Sequence, residues 1–322
     1  MPKGKIVTGL DIGTSSIKIL VAQKAGKELE VLAQTQIPSF GVRRGAVAKV
    51  EEVSKNIEAL IAEAEKLSGR KIKSVFVNIG GSHLRITPSD GLISVSRADQ
   101  KISQEDIERV LQAARAINIP SNEEVLDVFP REFIIDDQKG IKEPLGLTGI
   151  RLEVKANLLC VFSPFFINLT QAVLGSNLQI DDIVPSPLAA AAAVLTPQQK
   201  ELGSAVVDIG HSTTGLAVFE EGELIHFAVF PIGSGHITND IALGLQVSLE
   251  EAEQLKFHYV SDNQKRKLGD IIDARLGDIF ELIQNHLKKI GRNELLPAGA
   301  VIIGGGANLP NLEDFAKSSL KL

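Results

Sequence analysis

Short blocks of Val, Ile and Leu, punctuated by glycine, proline and hydroxyl residues, dominate the chain. Over residues 5–37 they predict a strand through Val7–Asp11, a second from Ile17 to Ala25, a turn at Gly26 and a third from Leu29 to Ile37, ahead of Pro38. The period then changes. Val50, Val53, Ile57, Leu60, Ile61, Ala64 and Leu67 recur at helical spacing, and Ser68-Gly69 stops that helix before a strand over Lys73–Ile79. Strands are predicted at Gly91–Ser96, Val125–Ile135 and Ile150–Phe162. Between the first two lies a helix opened by the capping-box-like Ser103-Gln104-Glu105-Asp106. Ser163-Pro164 starts a second helix, and Gly140–Gly149 is expected to be an exposed loop. Ile180–Val184 is a further strand. Ser186-Pro187 then caps a helix made almost wholly of alanine.

The opening pattern occurs twice. Val206-Val207-Asp208-Ile209-Gly210 repeats Leu10-Asp11-Ile12-Gly13 and its preceding strand, and a hydroxyl-rich turn follows each copy. Leu216–Phe219, Gly222, Leu224–Phe230 and Pro231 then match the rest of the first meander. The turns Gly13-Thr14-Ser15-Ser16 and Gly210-His211-Ser212-Thr213 offer rows of amide and hydroxyl donors, which suit an anion. Asp11 and Asp208, one at the end of each strand, suit a hydrated Mg²⁺, which takes few carboxylates and keeps its waters. A single such segment reads equally well as a tight hairpin. Two copies point to two similar domains gripping one polyphosphate between their turns.

That constellation resembles the actin/Hsp70/sugar-kinase superfamily, with phosphate motifs at Asp11–Lys18 and Asp208–Thr214 and an adenosine-type motif at Val301–Pro310. Within it the chain is most similar to the bacterial cell-division FtsA family. Pro130–Asp136, Gly140–Gly146, Gly149–Val154 and Asp181–Ala189 carry that resemblance. It implies an α/β, actin-like two-domain fold with a small inserted α+β subdomain. Residues 1–82 and 179–200 would form the first core, 83–178 the insert, 201–232 and 299–322 the second core, and 233–298 a helical subdomain on the nucleotide side. The resemblance further implies ATP and Mg²⁺ as ligands, with Lys18, Gly233, Gly235, Glu253, Lys256, Gly304, Gly305, Gly306 and Asn308 joining the two turns in binding them. FtsZ, through its C-terminal tail, would be the partner, with Arg275 on the long helix 265–287 as a contact. Self-association and other division proteins would use the insert.

Two departures matter. Superfamily members often carry a glutamate just before the proline of the alanine helix, where it helps position water; here it is Ser186, so slow hydrolysis is expected. The family also continues past the Gly304–Pro310 motif to a membrane-binding helix. Residues 311–322 carry Glu313 and Asp314 and few apolar members, so they are expected to form an internal helix. A membrane would be reached only through a segment absent from this chain. The linker at 259–265 is shorter than usual.

Composition adds boundaries. A length of 322 residues, 44% of them apolar, suits two domains, and a net charge of −6 without a basic stripe argues against nucleic acid. One cysteine, Cys160, excludes an internal disulfide and fits the reducing cytoplasm, at the inner face of the membrane where the resemblance places the family. His83, His211, His226, His236, His258 and His286 are not spaced as metal ligands. Gly-Ser-Gly-His-Ile-Thr at 233–238 lacks the third glycine of a dinucleotide fingerprint. A pilus-assembly scaffold or a small-molecule kinase of the same fold are the alternatives.

Overall fold

In the computed structural model, which describes residues 5–26, 28–257 and 262–322, the chain forms two lobes and an insert. The first lobe opens with an antiparallel meander of β1 (Ile6–Ile12), β2 (Ser16–Ala25) and β3 (Glu28–Pro38). A small hairpin of β4 (Val42–Arg43) and β5 (Ala46–Val47) leads to α1 (Val50–Ser68), and β6 (Ser74–Ile79) returns parallel to β1. Alternation along the strands sends Ile17, Ile19 and Val21 inward, where they meet Val53, Ile57 and Leu60 of α1 in one core.

The insert follows: β7 (Arg85–Ser94), α2 (Gln104–Arg115), β8 (Glu123–Ile135), β9 (Gln138–Ile141) and β10 (Arg151–Phe162). Its antiparallel sheet runs β7-β10-β8-β9, and Val110 and Ala114 of α2 pack on Phe133, Leu152 and Val154 as a separate core. Strand β7 starts six residues before the pattern suggested, because Pro88 interrupts the run; as an edge strand β7 tolerates it. The loop expected from Gly140 is exposed over most of its length, but its start belongs to β9.

The helix beginning at Ser163 does not belong to the insert. α3 (Ser163–Gly175) buries Leu169, Ala172 and Val173 in the first lobe's core, and the Ser54 hydroxyl of α1 donates to Ala172 O at 2.9 Å. The insert therefore ends with β10. β11 (Gln179–Pro185) next pairs parallel to β6, completing the order β11-β6-β1-β2-β3. α4 (Ser186–Val194) and α5 (Pro197–Leu202) cross to the second lobe.

There β12 (Ser204–Ile209), β13 (Thr214–Glu220) and β14 (Glu223–Phe230) repeat the meander. α6 (Ser234–Leu245), α7 (Leu249–Phe257) and α8 (Asp262–Lys289) follow, then β15 (Ala300–Ile303), parallel to β12, and α9 (Leu312–Leu320). The order β14-β13-β12-β15 repeats β3-β2-β1-β6 of the first lobe, whose fifth strand, β11, has no counterpart among the described residues. Leu312, Ala316 and Leu320 bury α9 against the core that α8 fills with Leu276, Ile279, Phe280 and Ile283. His258 and the first part of the expected linker lie outside the described residues, and from Asp262 onward the chain is already helical.

Candidate functional site

Duplication is visible bond by bond where the first two strands of each meander meet. The Gly13 amide donates to Ser16 O at 3.1 Å, and the Gly210 amide donates to Thr213 O at 2.9 Å. Asp11 pairs across the ladder with Lys18, and Asp208 with Gly215. The two turns meet at the mouth of a cleft of about 590 Å³. Ser212 Oγ donates to Thr14 Oγ1 at 2.9 Å, and the Gly45 amide donates to the same oxygen at 3.1 Å.

Of the expected site residues, Asp11, Gly13, Thr14, Ser15, Ser16 and Lys18 line this cleft from the first lobe. From the second come Asp208, Gly210, His211, Thr213 and Glu253, with Gly304, Gly305 and Asn308. Gly233, Gly235, Lys256 and Gly306 stand behind that lining, and Ser212 meets it through its bond to Thr14. Ser234 N and Gly235 N donate to Gly210 O and His211 O at 2.8 and 2.7 Å, so the start of α6 braces the second turn. Gly306 is buried against Ile209.

Lys256 is the clearest change. Its ammonium is fully buried and donates to both Glu253 carboxylate oxygens at 2.8 and 2.7 Å, to Thr238 Oγ1 at 2.9 Å and to Ser234 O at 3.3 Å. Burial pulls its pKa down, and the Glu253 hydrogen bonds counter this. Burial works against the Glu253 carboxylate, but hydrogen bonds from Lys256 and Thr238 outweigh it and hold that pKa below the usual range. Lys256 therefore positions Glu253 for the cleft instead of reaching the cleft itself.

The carboxylates at the strand tips differ. Asp11 receives Lys18 Nζ at 3.0 Å and Asn78 Nδ2 at 2.7 Å. Asp208 makes no side-chain hydrogen bond or ion pair among the described residues. Burial raises its pKa, as does the negative charge of Asp11, and Lys18 offsets this in part. Two carboxylates sharing one ammonium leave room for a cation, so the donor set fits a hydrated divalent metal.

Asn78 escaped the sequence reading. Its amide bridges Asp11 to Ser186 Oγ (3.0 Å), while its Oδ1 accepts from Ile12 N at 2.6 Å. The signal was an asparagine in a buried apolar strand just ahead of Gly80-Gly81. Gly45, Gly80 and Gly81 also line the cleft and were equally missed. Arg275 lies elsewhere, on α8. Asp240 of α6 accepts from it twice, at 2.6 and 3.1 Å, and Asp278 once at 2.8 Å.

The remaining histidines have structural consequences. Burial pushes His83 down to about 4, and burial with the neighbouring charge of His286 and Lys289 does the same to His226. His226 Nε2 and His286 Nδ1 lie 3.0 Å apart. A depressed imidazole keeps its stabilising effect above 6.5, its free value, and loses it as pH falls towards about 4. At about 1.4 kcal/mol per pK unit, a loss of a few kcal/mol is expected across that window. Urea midpoints at about pH 7 and pH 4.5 check this; equal midpoints would contradict it.

Comparison with known proteins decides the family. A family model described as "SHS2 domain inserted in FTSA" matches residues 81–160, the insert, and one described as "Cell division protein FtsA" matches residues 205–322. The cell division protein FtsA of Pseudomonas aeruginosa is 36% identical, over 98% of this chain and 81% of its own length. That of Bacillus subtilis is 32% identical, over 100% and 78%. The chain belongs to the FtsA family of cell-division proteins. Among solved structures, this FtsA-family chain superimposes on a PilM-PilN type IV pilus biogenesis complex with a TM-score of 0.74 at 20% identity, covering 98% of this chain and 86% of that one. MreB5 of Spiroplasma citri bound to AMPPNP gives 0.58 at 13% identity, covering 100% and 91%. Both likenesses show the actin-like fold. No helix among the described residues is long and apolar enough to cross a membrane.

Proposed function

We propose that this FtsA-family chain binds ATP with Mg²⁺ in the interlobe cleft and hydrolyses it slowly or not at all. It then serves as a self-associating adaptor that links FtsZ filaments to the inner face of the cell membrane at the division site. The observation that carries the nucleotide reading is the pair of Asp-tipped turns, each closed by the same glycine amide-to-carbonyl bond, that border one cleft. Asp11 and Asp208 would hold the metal through water, and the metal, when bound, supplies positive charge to the phosphates. The amides and hydroxyls of Thr14, Ser15, Ser16 and Thr213 would bind phosphate oxygens, displacing the Ser212–Thr14 contact. Ser186 supports slow turnover: its hydroxyl donates to Ile79 O at 3.3 Å and offers no carboxylate base.

The insert, with its own core and open edges, is the surface proposed for self-association and for other division proteins. The FtsZ tail would reach Arg275, where an incoming carboxylate has to compete with Asp240 and Asp278. A labelled FtsZ C-terminal peptide should bind weakly, and Arg275→Ala should lower its affinity about three- to tenfold. Fluorescence anisotropy checks this; an unchanged affinity in the variant would remove Arg275 from the interface. Phosphate release from ATP should stay below about 1 s⁻¹, the low end of ordinary enzymes. A faster rate would contradict the adaptor reading.

A further inference from the structure

The wall that closes the cleft beside Thr14 has a second side. Gly45, at the tip of the β4–β5 hairpin, has φ of 76°, and a Cβ there would stand 2.7 Å from Gly81 N. The hairpin and the β6–β7 loop therefore touch backbone to backbone, with their cleft-facing surface on one side. On the other is a cavity of about 570 Å³ lined by Arg43, Arg44, Ser82, His83, Phe165 and small alanines.

Four features give this cavity one character. Among the described residues, no Asp or Glu lines it. Arg43 and Arg44 make no ion pair and no side-chain hydrogen bond among the described residues, in a chain that carries 40 acidic residues against 34 basic ones. His83 Nε2 is buried without a hydrogen-bond partner. The N-terminus of α3, which contributes Phe165, has no side-chain cap and no acid in its first turn, so its dipole adds positive potential. The lining is not purely polar, however. Phe165 packs edge-on to His83 at 4.9 Å and to Phe162 at 5.3 Å, and with Ala46 and Ala48 it makes an apolar floor.

We propose that this cavity receives an acidic segment of a partner protein, whose carboxylates engage Arg43 and Arg44 while an apolar neighbour rests on Phe165, and that its occupancy is coupled to that of the cleft through the Gly45–Gly81 contact. Charge complementarity argues for carboxylates, because planar guanidinium forks pair with them bidentately. The apolar floor favours a peptide over a free ion, which would leave Phe165 and the alanines uncovered. Only the coupling rests on the nucleotide reading. By linkage, ATP must change peptide affinity by the factor by which peptide changes ATP affinity.

The test uses the intact chain and a fluorescein-labelled peptide of alternating aspartate and leucine, with anisotropy read at about 50 mM salt, where screening is modest. Binding should saturate, and the double variant R43Q/R44Q should weaken it about tenfold or more. Both arginines are exposed, so the variant should keep the parent's circular dichroism and ATP affinity. His83→Gln, which replaces the unpartnered ring nitrogen without removing the arginines, should weaken peptide binding about threefold. A double variant that binds within about twofold of the parent would overturn the docking site. So would full displacement of the peptide by inorganic phosphate at matched ionic strength, which would reassign the cavity to a free ion. With Mg²⁺ and ATP present, peptide affinity should change about threefold or more, matched by the reciprocal titration; no change in either direction would overturn the coupling. Peptide binding without any ATP binding would contradict the nucleotide reading while supporting the docking site.

Discussion

Gly304→Ala is expected to destabilise the protein by about 2–4 kcal/mol, the range of a strained backbone combined with a steric clash. Gly304 has φ of 86°, where L side chains are disfavoured, and a Cβ would fall 2.4 Å from Asp208 Oδ1 and 2.5 Å from Ile209 O. Neither neighbour can yield freely, since Ile209 is a buried ladder residue and Asp208 precedes it on the same paired strand. The adjacent glycine is the control. At Gly305 a Cβ meets nothing within 4 Å and φ is not in the left-handed range, so Gly305→Ala should leave stability within about 0.5 kcal/mol. Urea unfolding of the two variants decides this. Equal stabilities would mean that the close approach of the glycine motif to Asp208 is not a constraint on the fold.

Asp208→Asn should separate the charge of the site from its shape. The raised pKa of Asp208 means that its ionised form is disfavoured in the fold by burial and by Asp11. For such a group the stability advantage is present at low pH and is lost as pH rises through the raised value. At neutral pH without metal, the asparagine variant should therefore be at least as stable as the parent. The parent should gain thermal stability from Mg²⁺ with ATP, and that gain should fade on acidification, because a protonated Asp208 no longer attracts the metal. In Asp208→Asn the metal-dependent part of the gain should be gone. Asp11→Ala should behave less cleanly, since it also releases Lys18 and Asn78. Melting curves across pH with and without Mg²⁺ provide the check. A metal-dependent gain that survives in Asp208→Asn would place the cation elsewhere.

Much of this organisation was legible because duplication amplifies weak signals. One Asp-Ile-Gly turn is compatible with an ordinary hairpin; two, each followed by the same meander, define paired lobes whose turns meet at Thr14 and Ser212. Contacts between distant segments were harder to read. Asn78 acts through Asp11 and Ser186, 67 and 108 residues away, and nothing local marks that reach. Lys256 and Glu253 both carry charge at helical spacing, but only packing shows that the lysine is sunk beneath the glutamate. The α3 boundary failed for a related reason. An apolar helix face shows that it is buried, while the identity of the surface covering it, here α1 of the first lobe, is set by tertiary packing.

The central claim is that the two Asp-tipped turns form one metal–nucleotide site, and calorimetric titration of the intact chain with ATP tests it most directly. With Mg²⁺ present, the expected result is a single site whose affinity exceeds the metal-free value by about tenfold or more. In Asp208→Asn, affinities with and without Mg²⁺ should converge. Equal affinities in the parent with and without the metal, or a metal effect that persists in the variant, would contradict the account.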